Sequence, residues 1–262
     1  MNIIRNLVYG LLTIFDKLFN IKKPLIIVLC YHNIGNDKWK FSISKSVFER
    51  QINYLLENRE PISLAKLHSY LTGDTLIEKP SFVITFDDGC EGVTGIVDFI
   101  KSKNIVPTMF LVANSKEANR HELNSNIKLL NNKQILKLVK MGWEIGCHSM
   151  THADFNKLGT TVDRELIRSK DKLEEDLNVK VSYFSFPKGR YNNEIITVLK
   201  KSKYNLAVTM DDGFINRETD VYTIPRIGVD KTHSFEVFKS TILSSSIQAR
   251  SLFKKSFLFK YI

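Results

Sequence analysis

Cysteine is scarce in this chain: three in 262 residues, with no CxxC among them. Cys30, Cys90 and Cys147 make an odd count, which argues against a disulfide framework or a cysteine-built zinc site. Each falls at or just after the end of an expected strand, where a thiol serves as a small buried hydrophobe. A reducing compartment is in keeping with this. Acidic residues are also short, 28 Asp and Glu against 38 Lys and Arg, for a net charge of +10. That excess favours an anionic partner such as nucleic acid, acidic lipid or an acidic glycan. The lysines are scattered, however, in a way that AT-rich coding alone can produce. With no recognisable binding module, nucleic acid is set aside. Long apolar runs are missing too. The run at residues 7–15 is too short to cross a bilayer, and no small-residue cleavage site follows it, so a cleaved signal peptide is not expected. There is no internal repeat, low-complexity tract or linker. The apolar share, 43%, is ordinary and supports a sizeable core.

What is present is alternation. In residues 1–23, Ile4, Leu7, Val8, Leu11, Leu12, Phe15, Leu18 and Phe19 recur at helical spacing, flanked by Arg5, Lys17, Lys22 and Lys23. This pattern predicts an amphipathic helix, lying on a membrane or packed on its own domain. The tail at 246–262 is a second basic, aromatic stretch and favours the membrane surface. Between them, buried strands are expected at 25–32, 81–86, 107–113, 143–147, 181–186, 205–210 and 222–229. Helices are expected at 47–56, 64–71, 92–103, 133–141, 160–177, 194–202 and 234–244, and a polar loop at 114–126. Strand–helix alternation of this kind predicts parallel strands with crossovers: an α/β fold, a distorted (β/α) barrel of about seven to eight strands.

The stretch SFVITFDDGC organises the rest. A short apolar strand runs into two adjacent carboxylates, Asp87 and Asp88, and a glycine. Asp-Gly is common turn chemistry, but in parallel α/β folds the C-terminal strand end is also where ligands collect. Further on, HSMTH places His148 and His152 four apart just past another strand. A lone histidine is more often structural. Two at this spacing can share one side of a helical turn and meet one metal ion. Two imidazoles and a carboxylate suit zinc, cobalt, nickel or iron, and leave positions open for water and substrate. Adjacent aspartates then divide the labour: one binds the ion, the other takes a proton from the water it activates.

TFDDG (85–89), HSMTH (148–152) and FSFPKGRYN (184–192), in this order, resemble the polysaccharide deacetylase family, the NodB-homology domain. VLCYHNIG near the start and IPRIGV near the end resemble the subset acting on N-acetylglucosamine polymers. The resemblance covers roughly residues 25–245. It implies a distorted βα barrel and a divalent-metal-dependent N-deacetylase, zinc being the first choice of metal. By position, Asp87 is then the general base, and Asp88, His148 and His152 the metal ligands. Ser149 or Thr151 shapes the loop between the histidines. Pro187, Lys188, Gly189 and Tyr191 wall the substrate groove, and a backbone N–H after that turn helps bind the oxyanion.

The chain also departs from the family. Many members place an arginine before the proline of the third motif to orient the base; here Ser185 and Phe186 stand there, and Arg226 on the last strand is the expected replacement. The usual C-terminal LxH motif is absent, so His32 is taken as the general acid, with His233 as runner-up. His68 and His121 are read as surface residues and Asp211-Asp212 as a turn. The expected organisation is an amphipathic segment at 1–23, a catalytic domain at 24–245 and a tail at 246–262. The expected partner is an N-acetylated glycan or a lipid-linked sugar. The protein is expected in the cytoplasm or at a membrane surface, with peripheral contact through its basic ends. A competing expectation is a glycan-binding or scaffold protein that kept the fold without activity.

Overall fold

The structure, a computed structural model, describes residues 2–118, 126–157 and 159–253. The chain begins with helix α1 (Asn2–Leu18), then strand β1 (Ile26–Tyr31), the short pair β2 (Asn33–Ile34) and β3 (Ser42–Ile43), and α2 (Lys45–Leu56). It continues through β4 (Glu60–Pro61), α3 (Leu64–Leu71), β5 (Ser81–Phe86), α4 (Val97–Ser102), β6 (Thr108–Leu111), α5 (Asn132–Lys140) and β7 (Glu144–Cys147). The last third holds α6 (Ser169–Leu177), β8 (Tyr183–Ser185), α7 (Asn193–Lys201), β9 (Leu206–Val208), β10 (Ile227–Gly228), α8 (Phe235–Thr241) and α9 (Ser244–Phe253). Residues 119–125, with His121, and the tail beyond Phe253 lie outside the described residues.

The sheet runs β10-β1-β5-β6-β7-β8-β9, with every pair parallel, and curls on itself. β4 and β6 divide one edge of β5: β4 pairs with Ser81 and Phe82, β6 with Thr85 and Phe86. One stretch then links the two ends of the sheet. Ile224 bridges Val208 of β9, and three residues later Ile227 pairs with Leu29 of β1. Pro225, which has no N–H to give a ladder, sits at the changeover. The result is the expected distorted (β/α) barrel.

Side-chain alternation sorts the strands into two faces. Ile27, Leu29, Tyr31, Phe82, Ile84, Phe86, Met109 and Leu111 point outward and share a core with Phe48, Ile52 and Leu55 of α2. Burying side chains of this size contributes roughly 1.5–3 kcal/mol each. The opposite parity, Val28, Val83, Phe110, Tyr183, Leu206 and Val208, fills the barrel. A Cβ on Gly146 would lie 2.4 Å from the Phe110 ring, so that inner position stays bare. The floor is plugged by Glu144, which accepts from the backbone of Leu64 and Ala65 at the start of α3 (3.1 Å each) and from Thr108 (2.7 Å). Above these layers, the same inward parity carries Cys30, Thr85, Asp87, His148, Ser185 and Arg226 to the C-terminal mouth.

Four expected elements differ. The helix expected at 92–103 is a 3-10 stretch, Glu91–Ile96, followed by α4. The single helix at 160–177 is a 3-10 turn, a wide π-turn at Arg164–Arg168 and then α6. The wide turn leaves Glu165 buried and aimed at the loop of residues 150 and 151. The last strand pairs over two residues only, because its first half serves β9 and its second β1. The helix expected at 234–244 ends at Thr241, and α9 follows; α9 runs across the expected boundary at 245. The N-terminal segment packs as well: α1 lies on α8 and α9, with Tyr9 buried and Thr13 Oγ1 2.6 Å from Ser240 Oγ.

Candidate active site

Asp87 follows the last residue of β5 and is held from several sides. Arg226 meets it end-on, Nη1 to Oδ1 at 2.8 Å and Nη2 to Oδ2 at 2.6 Å. Ser185 Oγ (3.2 Å) and the Cys30 thiol (3.5 Å) donate to Oδ2. Arg226 spends all five N–H groups: two on Asp87, the rest on Thr209 O, Thr85 Oγ1 and Ser185 Oγ, at 2.8–3.0 Å. Burial would raise the Asp87 carboxyl, but the Arg226 charge, helped by His148, holds it well below the usual carboxylate range. The Asp87 carboxylate therefore stays ionised through the neutral range. The expected replacement of the third-motif arginine thus has its geometric counterpart: Arg226 reaches Asp87 from the far end of the chain.

Asp88, next in sequence, turns the other way because its φ is +71°. Its Oδ1 lies 3.5 Å from His148 Nε2 and 3.6 Å from His152 Nε2. The three donor atoms converge within 4.8 Å of one another. His148 Nδ1 is 2.8 Å from the Ser185 carbonyl and donates to it, so the tautomer leaves Nε2 with its lone pair toward Asp88. Burial lowers His148 to about 3, keeping it in the neutral form a metal needs. Two imidazole nitrogens and one carboxylate in a buried corner fit a zinc-type divalent cation with positions to spare.

The histidine loop is not the helical turn that HxxxH suggested. Ser149 (φ +66°) and His152 (φ +58°) both sit in the left-handed region, a conformation that surrounding structure must enforce. Glu165 enforces it. Its carboxylate accepts from Met150 N (3.0 Å), Thr151 N (3.0 Å) and Thr151 Oγ1 (2.9 Å). Sequence pattern gave no sign of Glu165, since its partners are mostly backbone groups that any residue would offer.

His32, just past β1, brings a ring nitrogen within 4.8 Å of Asp87 and of the Cys30 sulfur. The ring is half-buried at the mouth, stacked on Phe41 at 4.6 Å with Trp39 at its edge. Nδ1 itself is buried without a hydrogen-bond partner. Burial lowers His32 to about 4, against the pull of Asp87. Cys30, His32 and Asp87 do not make a second cation site: Arg226 covers both Asp87 oxygens, and burial pushes the Cys30 thiol up into its neutral form. The largest charges acting on His233 are Asp230, Arg5, Arg250 and Lys40, a different neighbourhood. His68 is half-buried in the last turn of α3.

Pro187, Lys188 and Gly189 form a single 3-10 turn beside this mouth, with Lys188 and Gly189 at φ +59° and +65°. Gly189 has no alternative there, since a Cβ would come 2.5 Å from Met210 Cβ. Arg190 pairs with Asp154, tying the turn to the histidine loop. Tyr191 stacks on Phe186 and donates to Asp211 (2.5 Å). Asp211-Asp212 are thus more than a turn: Asp212 also takes Arg250 of α9 at 2.6 Å in a buried pair. A hollow of about 740 Å³ lies elsewhere, between α1 and α8.

A barrel mouth with an ionised carboxylate beside an Asp-His-His set has the makings of a metal-assisted hydrolase. The family model for polysaccharide deacetylase matches residues 77–218, more than half of the chain, and the chain belongs to that family. It is 26% identical over 199 residues to the poly-beta-1,6-N-acetyl-D-glucosamine N-deacetylase of Staphylococcus aureus (strain MSSA476), covering 71% of this chain and 67% of that one. In fold it is similar to IcaB from Ammonifex degensii (TM-score 0.73, 20% identity, 86% of this chain and 98% of that one). It is likewise similar to the Streptococcus pyogenes deacetylase PplD in complex with acetate (TM-score 0.71, 21% identity, 84% of this chain and 99% of that one). These two likenesses speak for the fold alone. The family makes the chain a carbohydrate deacetylase.

Proposed function

We propose that the protein removes N-acetyl groups from the amino sugars of a polysaccharide or lipid-linked glycan, with a divalent cation held by Asp88, His148 and His152. The observation that carries this is the pair of neighbouring carboxylates with opposite surroundings: Asp88 faces two imidazoles, Asp87 faces a guanidinium. A divalent cation in the first setting, zinc before cobalt, nickel or iron, supplies an acidified water and polarises the amide carbonyl. Asp87 accepts that water's proton on an oxygen whose direction Arg226 and Ser185 fix. So strongly held a carboxylate is a weak base, which is the reason an acidified water is needed. The Arg190 N–H is taken by the Pro187 carbonyl (3.2 Å), so oxyanion binding falls to a backbone N–H beyond it, and Tyr191 lines the groove.

The amide nitrogen leaves only when protonated. His32 is neutral near pH 7, so it must first gain a proton, and Asp87 is within 4.8 Å. The proton taken from water passes from Asp87 to His32 and on to the leaving nitrogen, which balances the hydrolysis of amide to amine and carboxylic acid.

The test is acetate release from N-acetylglucosamine oligomers by protein stripped of metal and reloaded with zinc or cobalt. Activity should need the metal and vanish in Asp87→Asn, whose metal binding stays intact. Bound metal with no acetate would count against acetyl removal from this substrate. Neither acetate nor bound metal would overturn the site assignment and favour a glycan-binding protein.

A further inference from the structure

Helix α1 faces the wrong way for an ordinary surface helix. Its polar side is turned to the domain: Arg5 donates to Thr232, Thr13 meets Ser240, and Asp16 accepts from Ser245 (3.0 Å). Tyr9, on the same side, is buried and its hydroxyl accepts from Arg250. The apolar side looks out. Leu7, Leu11, Ile14, Phe15, Leu18 and Phe19 are 47–75% exposed. A continuous apolar stripe of this kind marks a contact surface.

We infer that this stripe lies on an anionic lipid bilayer. Lys17, Lys22 and Lys23 are exposed at its C-terminal end, while the one acid of α1, Asp16, is turned inward. On the neighbouring α9, Leu252 (71%) and Phe253 (37%) are exposed too, and the sequence continues with Lys254 and Lys255. The hollow between α1 and α8 has Ile14, Ile21, Lys17 and Lys23 on the α1 side; Asp16, Glu236 and Lys239 also line it, with Asp16 bonded to Ser245 and Lys239 paired with Glu236 at 2.6 Å, which leaves Lys17 and Lys23 as the cations facing an anionic headgroup. A second copy of the chain fits less well. A coiled-coil seam is narrow and carries charges of both signs beside it; here Phe15 and Phe19, 4.6 Å apart, broaden the stripe and the flanking charge is of one sign. Among the described residues no helix is long and apolar enough to cross a membrane, so the contact is along the surface.

The docking also sets which way the catalytic mouth points. α1 leads down to Ile26 at the bottom of β1, while Arg5 near its start bonds Thr232, just beyond the top of β10. The helix therefore runs antiparallel to β1, along the side of the barrel. With α1 flat on the lipid, the mouth opens along the membrane plane. What it meets there rests on the proposed deacetylation: an acylated amino-sugar chain lying on, or attached to, the lipid.

The experiment is vesicle co-sedimentation of the full chain, with no sugar present, on phosphatidylcholine alone and mixed with phosphatidylglycerol. Leu11→Glu/Leu18→Glu is compared after a thermal melt has shown it folded. The wild type should sediment with the anionic vesicles, less so in high salt. The variant should bind roughly tenfold or more weakly, with metal-dependent acetate release from soluble oligomers unchanged. No sedimentation of the wild type, or equal sedimentation of the variant, overturns the inference. So does a dimer in sedimentation velocity that the variant dissociates, which would assign the stripe to a second copy. Vesicle binding is read without substrate, so its failure and a failure of the deacetylase reading remain separate results.

Discussion

Replacing Arg226 by methionine keeps a long side chain and removes the charge and five donors at once. Asp87 is then left 3% exposed, with the Ser185 hydroxyl and the Cys30 thiol as its side-chain donors among the described residues. Removing one partner of a buried ion pair costs about 3–5 kcal/mol, because the other charge stays behind. For a domain of this size that is a fall in Tm of roughly 10 °C or more. The pH dependence should change sign. In the wild type the Asp87 pKa is depressed, so its contribution is present above about pH 4, the unfolded value, and is lost as pH falls toward the folded one. Without Arg226, burial acts unopposed and raises the pKa. The variant then loses stability relative to wild type as pH rises above about 4. Urea titrations at pH 5 and 8 measure this, and acetate release should drop by roughly 10²–10⁴ as the base is neutralised and misaligned. In a double-mutant cycle, Asp87→Asn should rescue part of the loss, with a coupling on the order of 1–3 kcal/mol. An Arg226→Met protein that stays within about 0.5 kcal/mol of wild type and turns over normally would refute the reasoning, as would an additive cycle.

Other sites give sharper single readouts. Glu165→Ala should leave the barrel folded but weaken zinc or cobalt binding by about 10–100-fold in calorimetry, since the loop carrying both histidines loses its three anchors. Gly189→Ala should destabilise by roughly 1–2 kcal/mol from the left-handed backbone alone, with the clash on Met210 adding to it; an unchanged melt would contradict the geometry of that turn. Burial lowers His233 to about 4, so the native state resists its protonation and stability falls between pH 6.5 and 4. That share is about 2 kcal/mol between pH 7.5 and 5, and it should disappear from the pH dependence of His233→Asn.

The sequence was most legible where one element decides its own structure. The strand Ser81–Phe86 and the helix Leu64–Leu71, with Ser63 as its cap, lie where apolar pattern and capping chemistry put them. Arg226 came from the family resemblance, since Ser185 and Phe186 stand where many members carry an arginine, and the fold lays its guanidinium against Asp87. Less could be read where distant groups decide. HxxxH has the spacing of a helical turn, yet Glu165, thirteen residues past His152, pulls that loop into left-handed backbone. The expected helix at 160–177 yields a wide turn at the same place, as Ser169 Oγ bonds the Glu165 carbonyl (2.6 Å). The amphipathic pattern of α1 predicted a helix but not which side would face the domain. That was settled by Tyr9, Thr13 and Asp16 finding partners on helices more than 200 residues later.

The stretch that joins β9 to β1 has a consequence for the order of assembly. Leu29 and Ile227 are neighbours in space but stand at opposite ends of the chain, and contacts of such high order form late. During synthesis Asp88, His148 and His152 all leave the ribosome well before Arg226. A nascent chain can thus hold those three side chains while Asp87 still lacks the guanidinium that pairs with it in the closed barrel. On the proposed mechanism, hydrolytic competence arrives with topological closure, so an incompletely made barrel is also a silent one.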